Sequence, residues 1–237
     1  MKTTLGALRR ADADFGMIAS GDRVAVGVSG GKDSLLLLRA LAIYRGFAHK
    51  DFTLTAVTVT LGLEPFDLSP VRALCQELGV SYLVEETHIG QIVFEERQES
   101  NPCALCAKMR RGALVGLCRR EGLNVLALGH HRDDAIDTLL MSLLYEGRFH
   151  TFHPKTSLED VTVIRPLCYL PEAHVKRLAR TLQLPVVPSP CPANGETQRT
   201  EMRRLMEQLR RRFPEAPERI LHALQADDHY DLWQKQR

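Results

Sequence analysis

"VAVGVSGGKDS", Val24 to Ser34, is the stretch whose reading decides the fold. Valines and small residues make a buried-strand pattern that stops at Gly30, Gly31, Lys32 and Asp33, the pattern of a strand feeding a glycine turn at a helix N-terminus. The Walker A pattern needs a glycine five residues before its Gly-Lys pair and a Ser or Thr directly after the lysine. Val26 and Asp33 occupy those positions. Three spaced glycines of the dinucleotide type are also missing. The loop therefore points away from ordinary kinase or GTPase chemistry. Its unobstructed N–H groups and the helix dipole suit an anion the size of pyrophosphate. Lys32 can hold a phosphate as a point charge, and the Ser29 and Ser34 hydroxyls can donate further bonds. A turn that needs glycine only for steric reasons would look similar but would leave Asp33 without a role.

Outward from this loop, strand and helix patterns alternate, which predicts an α/β fold with a parallel sheet flanked by helices. "RVAVGVS" and "FTLTAVTVT" read as buried strands, with "DSLLLLRALAIYRG" as the helix between them. "VRALCQELGV" and "SYLVEE" repeat the unit, as does "ALVGLCRREGLNVLALGHH". "DDAIDTLLMSLLYEG" reads as a helix with acidic residues at its positive end. After Gly147, "RFHTFHPKTSLEDVTVIRPLCYLPE" reads as an irregular segment plus one strand, and "AHVKRLARTLQL" as a helix. "PVVPSPCPANGE" reads as a Pro-rich loop before the basic helix "TQRTEMRRLMEQLRRRF". The expected organisation is a short N-terminal helix and main domain over 1–187, then a small helical extension over 188–237.

"LALGHHRDD", Leu126 to Asp134, is a second strand running into a glycine, two histidines and two carboxylates. Carboxyl ends of neighbouring parallel strands form a common crevice. Gly129 and His130 would then face the nucleotide, and Asp133 or Asp134 could hold Mg²⁺ bridging its phosphates. Helix capping would also account for the two aspartates.

The chain has 237 residues, 44% hydrophobic and 25% charged, enough for one large core. With 31 Lys and Arg against 29 Asp and Glu, a nucleic-acid surface has to be a local patch. Two such patches stand out. Lys108, Arg110, Arg111, Arg119 and Arg120 form the first, and Arg199, Arg203, Arg204, Arg210, Arg211 and Arg212 the second. On a helix, Arg203 with Arg210 and Arg204 with Arg211 return to similar faces, which suits either a phosphate backbone or a solvated surface. No apolar run approaches the roughly 20 residues of a membrane span, and no signal-peptide pattern opens the chain, so a cytoplasmic protein is expected.

Six cysteines in a reducing compartment are buried thiols, metal ligands or catalytic groups rather than a disulfide framework. Cys103 and Cys106 form a C-x-x-C that fits a redox pair, half of a zinc site or part of an iron–sulfur cluster. Cys191 lies between Pro190 and Pro192, while Cys75, Cys118 and Cys168 sit in apolar contexts.

"SGGKDS" resembles the PP-loop of the ATP pyrophosphatases, which split ATP between the α and β phosphates. Together with "CALCAKMRRGAL", "LALGHHRDDAIDTLL", "VIRPL" and "CPANGETQR", it is similar to the tRNA 2-thiocytidine synthetase family. That resemblance implies an adenine nucleotide alpha hydrolase-like, Rossmann-like fold. It implies adenylation of the C2 oxygen of an anticodon-loop cytidine, at position thirty-two, and its replacement by sulfur. It further implies a 4Fe–4S cluster on Cys103, Cys106 and Cys191, Mg²⁺, and ATP gripped by Ser29, Gly30, Gly31, Lys32, Asp33, Ser34, Gly129 and His130. Lys32, Asp33, Asp133 and the three cysteines would carry catalysis. tRNA would be held by Arg110, Arg111, Arg199, Arg203, Arg204 and Arg211. A sulfur donor such as a cysteine desulfurase and a homodimer complete the expected partners. Pro188 stands where the family often has a further Cys, and Thr60 where an acidic residue is frequent. A tRNA 2-thiouridine synthetase, another PP-loop ATPase, and a nucleotide- and cluster-binding regulatory or sulfur-trafficking protein are the alternative readings.

Overall fold

The computed structural model describes residues 1–63, 66–97, 102–192 and 197–225. The expectations for residues 193–196 of "CPANGETQR" and for the end of the chain therefore lie outside the described residues.

The sheet grows from the opening stretch. β1 (Arg23–Gly27) pairs in parallel with β2 (Thr53–Val59) on one side and β4 (Val125–Ala127) on the other. β3 (Ser81–Glu85) extends the sheet beyond β2, and β6 (Val161–Ile164) extends it beyond β4, both in parallel. β5 (Lys155–Leu158) closes the far edge antiparallel to β6, giving the order β3-β2-β1-β4-β6-β5. The parallel α/β sheet is thus as the sequence predicts, with one difference. The segment expected to be irregular before β6 is a strand, joined to it through Glu159, whose φ of 51° is the positive value a two-residue hairpin turn requires at its first position.

Successive residues of β1 serve two cores, as a strand covered on both faces must. Val24 and Val26 pack with α1 (Lys2–Phe15), α2 (Lys32–Arg45), α3 (Ser69–Glu77) and α7 (Glu172–Thr181). Ala25 faces α5 (Pro102–Arg120) and the short helix α4 (Ile89–Gln91), which continues as a π-turn through Glu96. Leu35, Leu36, Leu37 and Leu38 are fully buried in the first turns of α2. Each such leucine contributes roughly 1.5–3 kcal/mol, which fixes the start of α2 and with it the glycine loop that precedes it.

These elements form one compact unit over 1–131 and 153–194; the other unit takes 132–152 and 195–237. The second unit holds α6 (Arg132–Glu146), α8 (Gln198–Arg212) and α9 (Ala216–Gln225). α6, expected within the 1–187 portion, groups instead with the helices of the extension. α8 begins at Thr197, whose hydroxyl accepts the Thr200 N–H, and buries Met202 and Met206.

Candidate nucleotide and thiol site

The loop from β1 to α2 has the form that its glycines allow. Gly30 has φ +80°, and a Cβ there would meet Val187 Cβ at 3.1 Å and Phe66 Cζ at 3.2 Å. The Val187 N–H donates to the Gly30 carbonyl at 3.0 Å, so the 187–191 segment is tied directly to the loop. Ser34 Oγ accepts the Ser29 N–H at 3.1 Å and donates to the Gly31 carbonyl at 2.9 Å, holding the turn shut. Gly31 is the N-cap of α2 and supplies no side chain to bond the first-turn N–H groups.

Lys32 and Asp33 face each other within this frame. Lys32 Nζ donates to Asp33 Oδ2 at 2.9 Å and lies 3.2 Å from Glu172 Oε1 on α7. Burial on its own would lower the Lys32 pKa, but the two carboxylates outweigh it and raise the pKa above the ordinary value. The other Asp33 oxygen, Oδ1, is buried without a hydrogen bond and lies 3.7 Å from Nε2 of His131, itself 1% exposed. That separation is too long for a hydrogen bond.

The second predicted loop does reach the first. A Cβ on Gly129 would meet the backbone of Asp33 and Ser34, with the Asp33 carbonyl carbon at 2.9 Å and the Ser34 nitrogen at 3.0 Å, so only glycine fits. His131, rather than His130, is the buried histidine facing Asp33.

Beside the loop lies a cavity of about 280 Å³, lined in part by Ser29, Gly31, Thr60, Arg110, Ser189 and Pro190. Thr60 belongs to its wall, with its carbonyl accepting the Thr87 hydroxyl at 2.6 Å. Both Arg110 and Pro190 lead to cysteines, since Cys106 is one helical turn before Arg110 on α5 and Cys191 follows Pro190. Burial pushes the Cys106 thiol up, Arg110 counters it, and Cys191 and Cys103 push it further up as like charges. Cys103 and Cys191 are therefore each within electrostatic reach of Cys106. Cys103 is exposed, and Cys106 and Cys191 are half-buried. Among the described residues no three His, Cys, Asp or Glu side chains close around a single metal-ion position. Cys75, Cys118 and Cys168 are buried, as expected.

The carboxylates and arginines of the second unit are paired with each other. Asp134 Oδ1 lies 3.1 Å from Arg199 Nη1 and 3.8 Å from Arg203 Nη2, while Asp137 Oδ2 accepts from Arg203 Nε at 3.2 Å. Asp133 lies 3.4 Å from Arg210 and 3.5 Å from Arg132. Arg204 and Arg211 are exposed on α8, and Arg111 is exposed on α5. In the "VIRPL" motif Arg165 is buried and donates to the His153 carbonyl at 2.5 Å; burial first, and the charge of Arg111 second, bring its pKa down to about 10.

Glu172 and His131 escaped the sequence reading. The second histidine of "GHH" was a visible candidate, but nothing local distinguishes Glu172, which reaches Lys32 only because α7 packs on α2.

This combination of parallel sheet and glycine loop defines a PP-loop nucleotide-binding protein, and the PP-loop domain family matches residues 7–209. A tRNA-cytidine(32) 2-sulfurtransferase of Geobacter sulfurreducens is 38% identical over 94% of this chain and 89% of its own length. That of Geobacter metallireducens is 40% identical over 91% and 86%. The chain belongs to the tRNA-cytidine(32) 2-sulfurtransferase family of PP-loop proteins. Among solved structures, the U34-tRNA thiolase NcsA from Methanococcus maripaludis with its 4Fe–4S cluster superposes with a TM-score of 0.78 at 26% identity, covering 94% of this chain and 76% of that one. An NH3-dependent NAD synthetase from Campylobacter jejuni shares the fold, with a TM-score of 0.50 at 18% identity.

Proposed function

We propose that the protein is an ATP-dependent tRNA sulfurtransferase that adenylates the C2 oxygen of cytidine at position 32, the position in its relatives' names, and replaces that oxygen with sulfur. The observation that carries the reading is the cavity bounded by the PP-loop on one side and by the Cys106 and Cys191 segments on the other.

In this reading Ser29, Gly30, Gly31, Lys32 and Ser34 receive the β and γ phosphates. The cytidine oxygen attacks the α-phosphorus, the α–β bond breaks, and pyrophosphate leaves with its electron pair onto loop N–H groups and Lys32. Gly129, by its tight contact with Asp33 and Ser34, keeps the loop in register. His130 is the remaining nucleotide contact of that loop.

Mg²⁺ fits Asp33, whose buried Oδ1 lacks a hydrogen bond and is an oxygen ligand of the type this ion takes. Asp133 and Asp134 are the further carboxylate candidates, and a metal there would have to displace their arginine partners. A 4Fe–4S cluster fits the thiols of Cys103, Cys106 and Cys191 by donor chemistry, with Cys103 and Cys191 each acting electrostatically on Cys106. When bound, it would supply an iron site able to hold sulfide. For tRNA, the exposure of Arg111, Arg204 and Arg211 supports a backbone grip; Arg199 and Arg203 bind the carboxylates of α6. A sulfide- or persulfide-supplying donor such as a cysteine desulfurase, and a cytoplasmic site of action, accord with this chemistry. Among the described residues no helix is long and apolar enough to cross a membrane.

The similarity to a U34-tRNA thiolase is the one observation that favours uridine instead. Nucleoside mass spectrometry on tRNA from a deletion strain decides between them. Loss of 2-thiocytidine alone is expected; loss of 2-thiouridine, or unchanged thionucleosides, refutes the cytidine reading.

A further inference from the structure

Arg110 stands in a place that an RNA-binding patch does not explain. It is in the basic run of α5, yet its side chain lines the cavity together with Ser29 and Gly31 of the PP-loop, Thr60 at the end of β2, and Ser189 and Pro190. Its Nε is buried and makes no hydrogen bond within the protein. A guanidinium nitrogen left so is costly unless a ligand completes it, because a buried donor without an acceptor loses its full hydration. Cys106 lies one turn earlier on the same helix. Arg110 is thus a cation that lines the cavity and acts electrostatically on the Cys106 thiol.

Given the sulfurtransferase reading above, on which this rests, we infer that Arg110 is a nucleotide-site residue: its guanidinium holds the α-phosphate of ATP, and afterwards AMP, at the end of the cavity nearest the thiols. Lys32 and the loop N–H groups take the pyrophosphate end, which leaves first. The α-phosphate stays on the nucleic-acid carbonyl until sulfur arrives as hydrosulfide. The S–C2 bond then forms, the C2–O bond breaks, and AMP departs with that electron pair while the sulfur loses its proton. Negative charge grows on the phosphate in this step, and a planar, permanently charged fork is the group suited to two of its oxygens.

The test uses the full chain without added metal, so its readout does not depend on a loaded enzyme. Calorimetry with AMP and with α,β-methylene ATP is compared in the parent, R110Q and R110K, alongside tRNA binding over a range of salt. We expect R110Q to weaken AMP about tenfold or more, as loss of a charge-assisted bond requires. R110K should weaken it by an intermediate factor, since it keeps the charge without the fork, and it keeps the test readable if R110Q does not fold. tRNA affinity and its salt slope should stay at the parent values. Parent-like AMP affinity in the variants, with weaker tRNA binding and a salt slope reduced by about one, would overturn the inference and make Arg110 a backbone-phosphate contact. A parent protein that binds no adenine nucleotide overturns it as well. Failure of the broader reading looks different: AMP binding would depend on Arg110 while no thiocytidine is ever formed.

Discussion

The Lys32 ammonium lies 3.2 Å from Glu172 Oε1, so the phosphate-loop lysine is anchored by a carboxylate from α7 as well as by its neighbour Asp33. Two carboxylates on one ammonium keep it charged and fix its position beside the loop.

Replacing either partner should separate charge from position. Lys32→Met removes the charge and should lower thiolation by about 100-fold or more, as loss of a transition-state cation does. Glu172→Gln keeps the shape and should raise the KM for ATP by roughly 3- to 10-fold, with a smaller effect on kcat, because Lys32 is left less well placed. The pH profile gives the sign. With its pKa raised, Lys32 contributes fully below its ordinary value and is lost only as pH rises through the higher folded value. No inflection from Lys32 is therefore expected at neutral pH; steady-state rates from pH 6 to about 9 check this, and a fall there in the parent that Glu172→Gln shifts would refute it.

Gly129→Ala tests the contact between the two loops. The added methyl would stand 2.9 Å from the Asp33 carbonyl carbon, and backbone on both sides cannot swing away as a flexible side chain can. Overpacking of this type costs about 1–3 kcal/mol. The variant should unfold at lower denaturant and lose nucleotide affinity together. Unchanged affinity in calorimetry would mean that the loops do not depend on each other.

The thiols should divide into two sets. Burial pushes Cys75 and Cys118 up to about 11 and Cys168 up to about 12, so these three stay protonated and shielded. In metal-free native protein at a pH of about 8, alkylation followed by peptide mass spectrometry should mark Cys103 first, then Cys106 and Cys191. The other three should react only after unfolding. Anaerobic reconstitution with iron and sulfide should protect the reactive set and colour the protein brown. Labelling of Cys168 in the native state contradicts the assignment.

The parallel sheet was legible because buried strands such as β1 (Arg23–Gly27) read as apolar runs stopped by turns, and the PP-loop because its glycines and charges are contiguous. β5 was not, since "KTSL" alternates only weakly and its turn uses Glu159 and Asp160 where a hairpin normally advertises glycine or asparagine. The same limit separates Lys32 from Glu172. Asp33 sits beside the lysine in sequence, whereas Glu172 arrives through packing of Val175 and Leu178 into the α2 face of the sheet. The arginines of α8 show a third case. Charge spacing alone cannot say that Arg199 and Arg203 meet carboxylates of α6, because that depends on which face of α8 buries Met202 and Met206.

Asp137 allows those carboxylate–arginine contacts to be measured by pH. It is 2% exposed, and burial pushes its pKa up to about 6 although Arg203, 3.2 Å away, and Arg199 pull it down. The folded state thus holds this proton more tightly than the unfolded state, and the contribution is greatest below the unfolded value near 4. Stability from this group falls as pH rises from about 4 to about 6 and is constant above. Asp137→Asn keeps an acceptor for Arg203 but cannot titrate. The difference in unfolding free energy between parent and variant should therefore move in the variant's favour by on the order of 2 kcal/mol between pH 4 and 7. Denaturant titrations at pH 4.5, 5.5 and 7 measure it. A difference that stays flat, or that moves in the parent's favour, would show that the Arg203 contact outweighs burial and that Asp137 is an ordinary ion-paired carboxylate.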